Sequence, residues 1–167
     1  KGMIDVVAKQ SGVPTEKVLP LGMPRTDAYF GKTKGDGNTL LSRYRKAYLY
    51  APTFRKNGAD GMPKINLNVI DDLLTDDEVF AVKPHMVNGD VNICGYKHII
   101  QIQSSEPSTN YLIDCDVLIT DFSSIMFDAH VLRKNVVLFE KDAEMYLKYR
   151  GMYLQYPDGY ASLHCLP

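Results

Sequence analysis

The stretch Asp116-Val117-Leu118-Ile119-Thr120-Asp121-Phe122-Ser123-Ser124-Ile125-Met126-Phe127-Asp128 joins an apolar run to a polar turn and then to a second apolar pattern. The run ends on Thr120-Asp121, two serines follow, and apolar residues recur at Ile125, Ala129 and Leu132. The first part reads as a buried strand and the last has the spacing of a helix face. A helix that opens on hydroxyls leaves its first amides without intrahelical partners and aims the positive end of its dipole at the turn, so a phosphate can bind there. The same residues allow a plainer reading, in which Ser123 N-caps the helix and Asp121 shapes the turn.

Three further segments place polar groups where short apolar runs stop. Leu21 leads into Gly22-Met23-Pro24-Arg25-Thr26-Asp27, where Gly22 permits a tight turn and Pro24 suits a first helical position. Arg25 can hold a phosphate through its planar fork, or can simply be a surface arginine at a helix start. In Tyr50-Ala51-Pro52-Thr53-Phe54-Arg55, Pro52 lacks a backbone donor and should end the strand, leaving Thr53 and Arg55 to face a ligand or solvent. In Val82-Lys83-Pro84-His85, a cation and an imidazole lie at one strand end. Against a phosphorylated leaving group, Lys83 can offset charge while His85 donates a hydrogen bond or a proton; a solvated loop histidine is the alternative. His98 and His130 read as packing or surface residues, and the carboxylates Asp71-Asp72 and Asp76-Asp77-Glu78 as surface charge rather than metal ligands.

The elements that must position these groups alternate. A helix carrying Ile4, Val7 and Ala8 is stopped by Gly12 and Pro14, and a short strand is expected over Val18–Leu21. Residues 31–38 are rich in glycine and charge and predict an exposed loop. Leu40, Leu41, Tyr44 and Tyr48 suggest a helix passing into a strand near Ala47–Ala51, and a second loop covers Arg55–Lys64. A helix capped by Asn66 should turn Leu67, Ile70, Leu73 and Leu74 inward. Strands are expected at Val79–Lys83, His98–Ile102, Asp116–Ile119 and Val136–Phe139, with helices near Tyr111–Cys115, Ser123–Arg133 and Ala143–Tyr149. Short apolar strands alternating with helices predict an α/β fold, a Rossmann-like doubly wound parallel sheet covered on both faces. Ligands in such sheets sit outside the carboxyl ends of the strands, which are the four ends described above.

At 167 residues and 45% hydrophobic composition, the chain suffices for one core, so residues 1–167 are read as a single domain. A net charge of −1 with dispersed basic residues does not suggest a nucleic-acid partner. No apolar stretch approaches the roughly 20 residues of a membrane span, and no signal peptide opens the chain. Three cysteines without a C-x-x-C pair fit reduced thiols in a cytoplasmic protein. A chain that starts at Lys1 and stops at Pro167 is expected to be a piece of something longer. Neither a Walker-type loop nor G-x-G-x-x-G follows any strand, and there is no G-x-S-x-G elbow.

In order, Leu21 to Asp27, Tyr50 to Arg55, Lys83-Pro84-His85, Asp116 to Asp128 and Tyr149-Arg150-Gly151-Met152-Tyr153 resemble the carboxyl-terminal part of the CDP-glycerol glycerophosphotransferases, which prime or extend teichoic acid chains. The resemblance runs from about Leu19 to Tyr156. The family usually has PRND where this chain has Pro24-Arg25-Thr26-Asp27, TDYSS where it has Thr120-Asp121-Phe122-Ser123-Ser124, and K-M-H-P where it has Lys83-Pro84-His85-Met86. The resemblance implies the C-terminal, nucleotide-donor-binding lobe of a two-lobed GT-B-type transferase. CDP-glycerol would be held by Arg25, Thr53, Arg55, Thr120, Asp121, Ser123 and Ser124, with Lys83 and His85 stabilising the phosphates and the leaving group. No metal-binding cluster is visible in the sequence, so no metal and no cofactor are expected. The catalytic base and the polyol-phosphate acceptor site would belong to the other lobe, whose W-H-G-T motif has no counterpart in a chain without tryptophan. The resemblance also implies an enzyme that works at the cytoplasmic face of the membrane by peripheral association, and a lobe inactive by itself.

Two other readings compete. One is the nucleotide-sugar lobe of a different GT-B-type glycosyltransferase, against which the Tyr50–Arg55 and Arg150–Tyr153 segments argue. The other is a non-catalytic α/β module of the receiver kind; that fold needs clustered acids at an early strand end, where this chain has Gly22-Met23-Pro24-Arg25.

Overall fold

The computed structural model describes residues 2–54, 65–88, 93–140 and 143–150. The Arg55–Lys64 loop, Arg55 itself, Cys165 and the segment from Gly151 onward lie outside the described residues.

Among the described residues, five strands make one sheet: β1 (Lys46–Tyr50), β2 (Glu78–Val82), β3 (Ile99–Gln101), β4 (Val117–Thr120) and β5 (Asn135–Leu138). Their order is β3-β2-β1-β4-β5 and every pairing is parallel. Tyr50 lies opposite Val82 on one side and Ile119 on the other. The helices are α1 (Gly2–Ser11), α2 (Leu67–Leu73), α3 (Ser108–Asp114), α4 (Ile125–Val131) and α5 (Ala143–Arg150).

Strand side chains point alternately to opposite faces, so near-continuous apolar strands need cover on both. Ala47, Leu49, Val79, Ala81, Leu118 and Val136 pack on one face with Leu112 and Ile113 of α3 and Met126 and Ala129 of α4. Tyr48, Tyr50, Phe80, Val82, Ile99 and Ile119 pack on the other with Leu67 and Ile70 of α2 and with Phe139. The doubly wound parallel sheet expected from the sequence is therefore present. The buried Cys115 thiol is pushed up to about 12 by that burial.

Three local expectations are corrected. Val18–Leu21 is not a strand: Pro20 cannot donate to a ladder, Gly22 has φ +86°, and Leu19 and Leu21 stand 68% and 86% exposed. Asn66 does cap α2, accepting from the Val69 amide, but Leu73 is 76% exposed because the helix ends there. The segment 40–48 forms a 3₁₀ helix, Leu40–Arg43, before β1 rather than an α-helix.

The glycine-rich loop is also more than exposed loop. It wraps the buried carboxylate of Asp114, which accepts from the amides of Gly35 (2.8 Å), Gly37 (3.0 Å) and Thr39 (2.7 Å) and from the Thr39 hydroxyl. Gly37 is required by closeness: a Cβ there would lie 2.2 Å from the Asn110 carbonyl oxygen. Nearby, Asp116 accepts from the Ala47 amide and from Lys34 Nζ, so both carboxylates fasten the amino-terminal edge of β1 and β4. The carboxylates Asp71 and Asp76 hold the α2–β3 corner through Lys97 and His98.

Candidate functional site

Because all strands run the same way, their carboxyl ends share one edge, and between β1 and β4 the connections leave in opposite directions. That is the switch point at which doubly wound sheets open a crevice. The ladder continues past the strands: Ala51 N donates to Ile119 O, Lys83 N to Tyr50 O, and Phe139 N to Thr120 O, at 2.7–2.9 Å. The strand-end residues named from the sequence therefore emerge at one level.

Thr53 and Asp121 meet across the switch point. The Thr53 amide donates to Asp121 Oδ1 at 2.8 Å and its hydroxyl donates to the same oxygen. Asp121 is 1% exposed, and the buried Thr120 hydroxyl donates to the Ala51 carbonyl at 2.6 Å. Thr120 and Asp121 thus tie the end of β4 to the loop that leaves β1. They form the floor of the crevice.

Lys83 is buried at the end of β2, where its ammonium donates to the carbonyls of Ser104 (2.9 Å) and Pro84 (3.3 Å). It links the loops that follow β2 and β3 and puts a positive charge beneath the crevice edge. His85 is exposed, and its ring lies 5.8 Å from that of Phe54. The Val87 amide donates to His85 Nδ1 at 3.3 Å, so the neutral ring carries its proton on Nε2 and is a donor there.

After β4 the chain turns through Phe122, which stacks on Tyr146 of α5 with ring centroids 4.1 Å apart. Ser123 Oγ accepts from the Ile125 amide at 3.4 Å, a long cap, while the exposed Ser124 makes no side-chain cap bond. The plainer reading holds for Ser123 to that extent; the Ser124 hydroxyl points to no helix amide.

Arg25 comes from a separate element, the 3₁₀ helix Pro24–Tyr29. Tyr29 anchors that helix in the core, where burial pushes its phenol up and a hydrogen bond with Thr109 works the other way. Arg25 Nε lies 3.1 Å from both Asp128 oxygens, which sets the guanidinium over the first turns of α4.

The structure thus brings Thr53, Lys83, His85, Thr120, Asp121, Ser123 and Ser124 to one edge and Arg25 to the helix that starts there; Arg55 lies outside the described residues. Sequence reasoning missed Asp128 and Phe54 as site residues. Asp128 left a signal: it falls three residues after Ile125, on the same helix face as Ala129 and Leu132, and a carboxylate on an apolar face must find a cation. Phe54 left none, since its contact with His85 joins loops from different strands.

A family model described as CDP-Glycerol:Poly(glycerophosphate) glycerophosphotransferase matches residues 2–160. The chain is 32% identical over 166 residues to a teichoic acid poly(ribitol-phosphate) polymerase of Bacillus spizizenii, covering 90% of this chain and 27% of that protein. It is 30% identical over 156 residues to a teichoic acid glycerol-phosphate primase of Bacillus subtilis, covering 90% of this chain and 40% of that protein. The solved wall teichoic acid polymerase TagF superposes with a TM-score of 0.71 at 25% identity over 93% of this chain and 41% of that one. A TagF variant soaked with CDPG superposes with a TM-score of 0.72 at 26% identity, over 93% and 40%. The chain therefore spans less than half the length of each of these relatives. With the family model matching nearly its whole length, this chain belongs to the CDP-glycerol:poly(glycerophosphate) glycerophosphotransferase family.

Proposed function

We propose that this chain is the donor-binding lobe of a two-lobed GT-B-type glycerophosphotransferase and holds the diphosphate of CDP-glycerol in the crevice between β1 and β4. One observation carries the reading. Thr53 leaves β1 and Thr120, Asp121, Ser123 and Ser124 leave β4 where the strand order switches, and Lys83 and His85 follow the neighbouring β2 at the same edge. The structural likeness to TagF, one variant of which was soaked with CDPG, supports the same donor.

The reaction follows from the donor's chemistry. The terminal hydroxyl of a polyol-phosphate acceptor attacks the β-phosphorus, a new phosphorus–oxygen bond forms, and the bond from that phosphorus to the bridging oxygen breaks. CMP leaves with the bridging electron pair, and the hydroxyl proton passes to a base in the acceptor lobe. Charge builds on the CMP phosphate and on the oxygens in transfer. Arg25, Lys83, the Nε2–H of His85 and the hydroxyls of Ser123 and Ser124 are the groups available to offset it, while the Thr53 hydroxyl is donated to Asp121. Thr120 and Asp121 hold the floor in shape. The full-length enzyme works at the cytoplasmic face of the membrane by peripheral contact; among the described residues no helix is long and apolar enough to cross a bilayer.

The test is calorimetric titration of the chain with CDP-glycerol, CDP-ribitol, CDP, CMP and a UDP-sugar. Binding of CDP and CDP-glycerol in preference to the UDP-sugar is expected. Preference for the UDP-sugar would replace this reading with that of another GT-B-type transferase. The CDP-ribitol arm separates the two polyols, which the ribitol-phosphate polymerase among the relatives makes a real alternative.

A further inference from the structure

The geometry points to Asp128 as a positioning residue for the donor diphosphate, acting through Arg25. This rests on the crevice being a nucleotide diphosphate site.

Asp128 sits inside α4 with its side chain 9% exposed, whereas that of Arg25 is 44% exposed. The carboxylate takes the guanidinium by its inner nitrogen alone, Nε, which lies 3.1 Å from each of its oxygens. Among the described residues, Nη1 and Nη2 make no hydrogen bond with the protein. An arginine paired only for structure commonly meets a carboxylate as a fork, with two parallel bonds that use an outer nitrogen. Here the outer edge of the guanidinium is left over, and that edge is the one that matches two phosphate oxygens.

Both partners are held. The Arg25 backbone belongs to the helix that Tyr29 anchors in the core, and Thr26 Oγ1 fastens its start to the Met23 carbonyl at 2.6 Å. Asp128 shares its helix with the buried Met126 and Ala129. The guanidinium is thus oriented before any ligand arrives, at the helix that begins where Ser123 and Ser124 leave the crevice. Without Asp128 the side chain would sample many rotamers, and binding would carry the cost of freezing them. Lysine at position 25 would be no substitute, because one ammonium has no separate inner and outer edge.

A double-mutant cycle tests this with CDP as the probe, in calorimetry, with thermal unfolding followed alongside. Asp128→Asn is expected to weaken CDP binding by about tenfold, the loss of one charge-assisted contact. In an Arg25→Ala background, adding Asp128→Asn should change affinity less than about twofold, because the residue through which Asp128 acts is already gone. Equal losses in both backgrounds would mean that Asp128 serves the fold alone, and would overturn the inference. If Asp128→Asn does not fold, Arg25→Lys decides: retained unfolding temperature with CDP affinity down about tenfold supports the inference, and unchanged affinity overturns it. CDP binding by the unmodified chain that ignores all these substitutions would overturn the inference and leave the donor reading standing. Absence of any CDP binding would overturn both.

Discussion

Asp121 and Thr53 bind each other from opposite sides of the sheet's switch point, the amide and hydroxyl of the threonine both donating to one buried carboxylate oxygen. The bond joins residues far apart in sequence that leave adjacent strands at the same height, so the floor of the crevice is a cross-link between β1 and β4. Asp121→Ala should cost about 1–3 kcal/mol in urea unfolding, since it strands the Thr53 donors and removes a buried charge. It should also weaken CDP binding. Stability within error of the unmodified chain would show that this contact is dispensable to the floor.

The serine turn has a binding prediction of its own. Ser123→Ala with Ser124→Ala should lower CDP affinity by at least about tenfold, as hydrogen bonds to a charged acceptor contribute about 1.5–3 kcal/mol each. The fold should stand, because Ser123 offers α4 only a 3.4 Å cap and Ser124 none. Unchanged calorimetric affinity would reduce both residues to helix-start punctuation.

His85 should act mainly in the transition state. In the full-length enzyme, His85→Ala is expected to lower turnover more than it raises KM, as for a donor whose bond strengthens as charge leaves with CMP. Phe54→Leu should shift turnover in the same direction but less, by loosening the imidazole it packs against. Wild-type turnover in His85→Ala would remove the residue from the mechanism.

Stability should fall with acid at the edge far from the site. Burial by itself raises the Asp114 pKa, but the hydrogen bonds from Thr39, Gly35 and Gly37 outweigh it and hold the group below its ordinary 3.8. The stabilisation is complete above that value and is lost as pH drops through the lower folded one. His98 works in reverse: its hydrogen bond to Asp76 raises it above 6.5, so its share is present below 6.5 and disappears as pH rises past the folded value. Urea midpoints from pH 3 to 9 should show both limbs, and Asp114→Asn should flatten the acid one. Gly37→Ala should cost about 1–3 kcal/mol at any pH by forcing the loop off α3.

Incubated alone with CDP-glycerol and a glycerol-phosphate primer, this chain should release no CMP above background. If this chain is one of two lobes, as proposed, it lacks the orientation between lobes that can supply up to about 7–11 kcal/mol of barrier lowering. Robust CMP release would place the whole active site within these 167 residues.

Sequence reasoning located what is periodic or punctuated. β1, β2, β4 and β5 fall within a residue or two of their apolar runs, and Asn66 caps α2 as its type demands. It misread Leu19 and Leu21, where an apolar pair interrupted by Pro20 imitates a strand that no neighbour can accept. It took the loop around Gly37 for exposed chain because the carboxylate that organises it, Asp114, lies more than seventy residues away. The strand-end cations and hydroxyls were legible as types and positions. Their partners were not, since Asp128 beneath Arg25 and Ser104 beneath Lys83 are choices made by packing between elements.

The two carboxylates that bracket β4 also act as a gauge. Asp116 receives the amide of Ala47 at one end of β1 and Asp121 that of Thr53 beyond the other. Sliding β1 by one residue along β4 would lift both amides off their carboxylates together and turn Leu49 out of its face. Only one alignment satisfies both ends, and it is the alignment that brings the strand ends to a common height. The crevice is thereby assembled by the same event that closes the core.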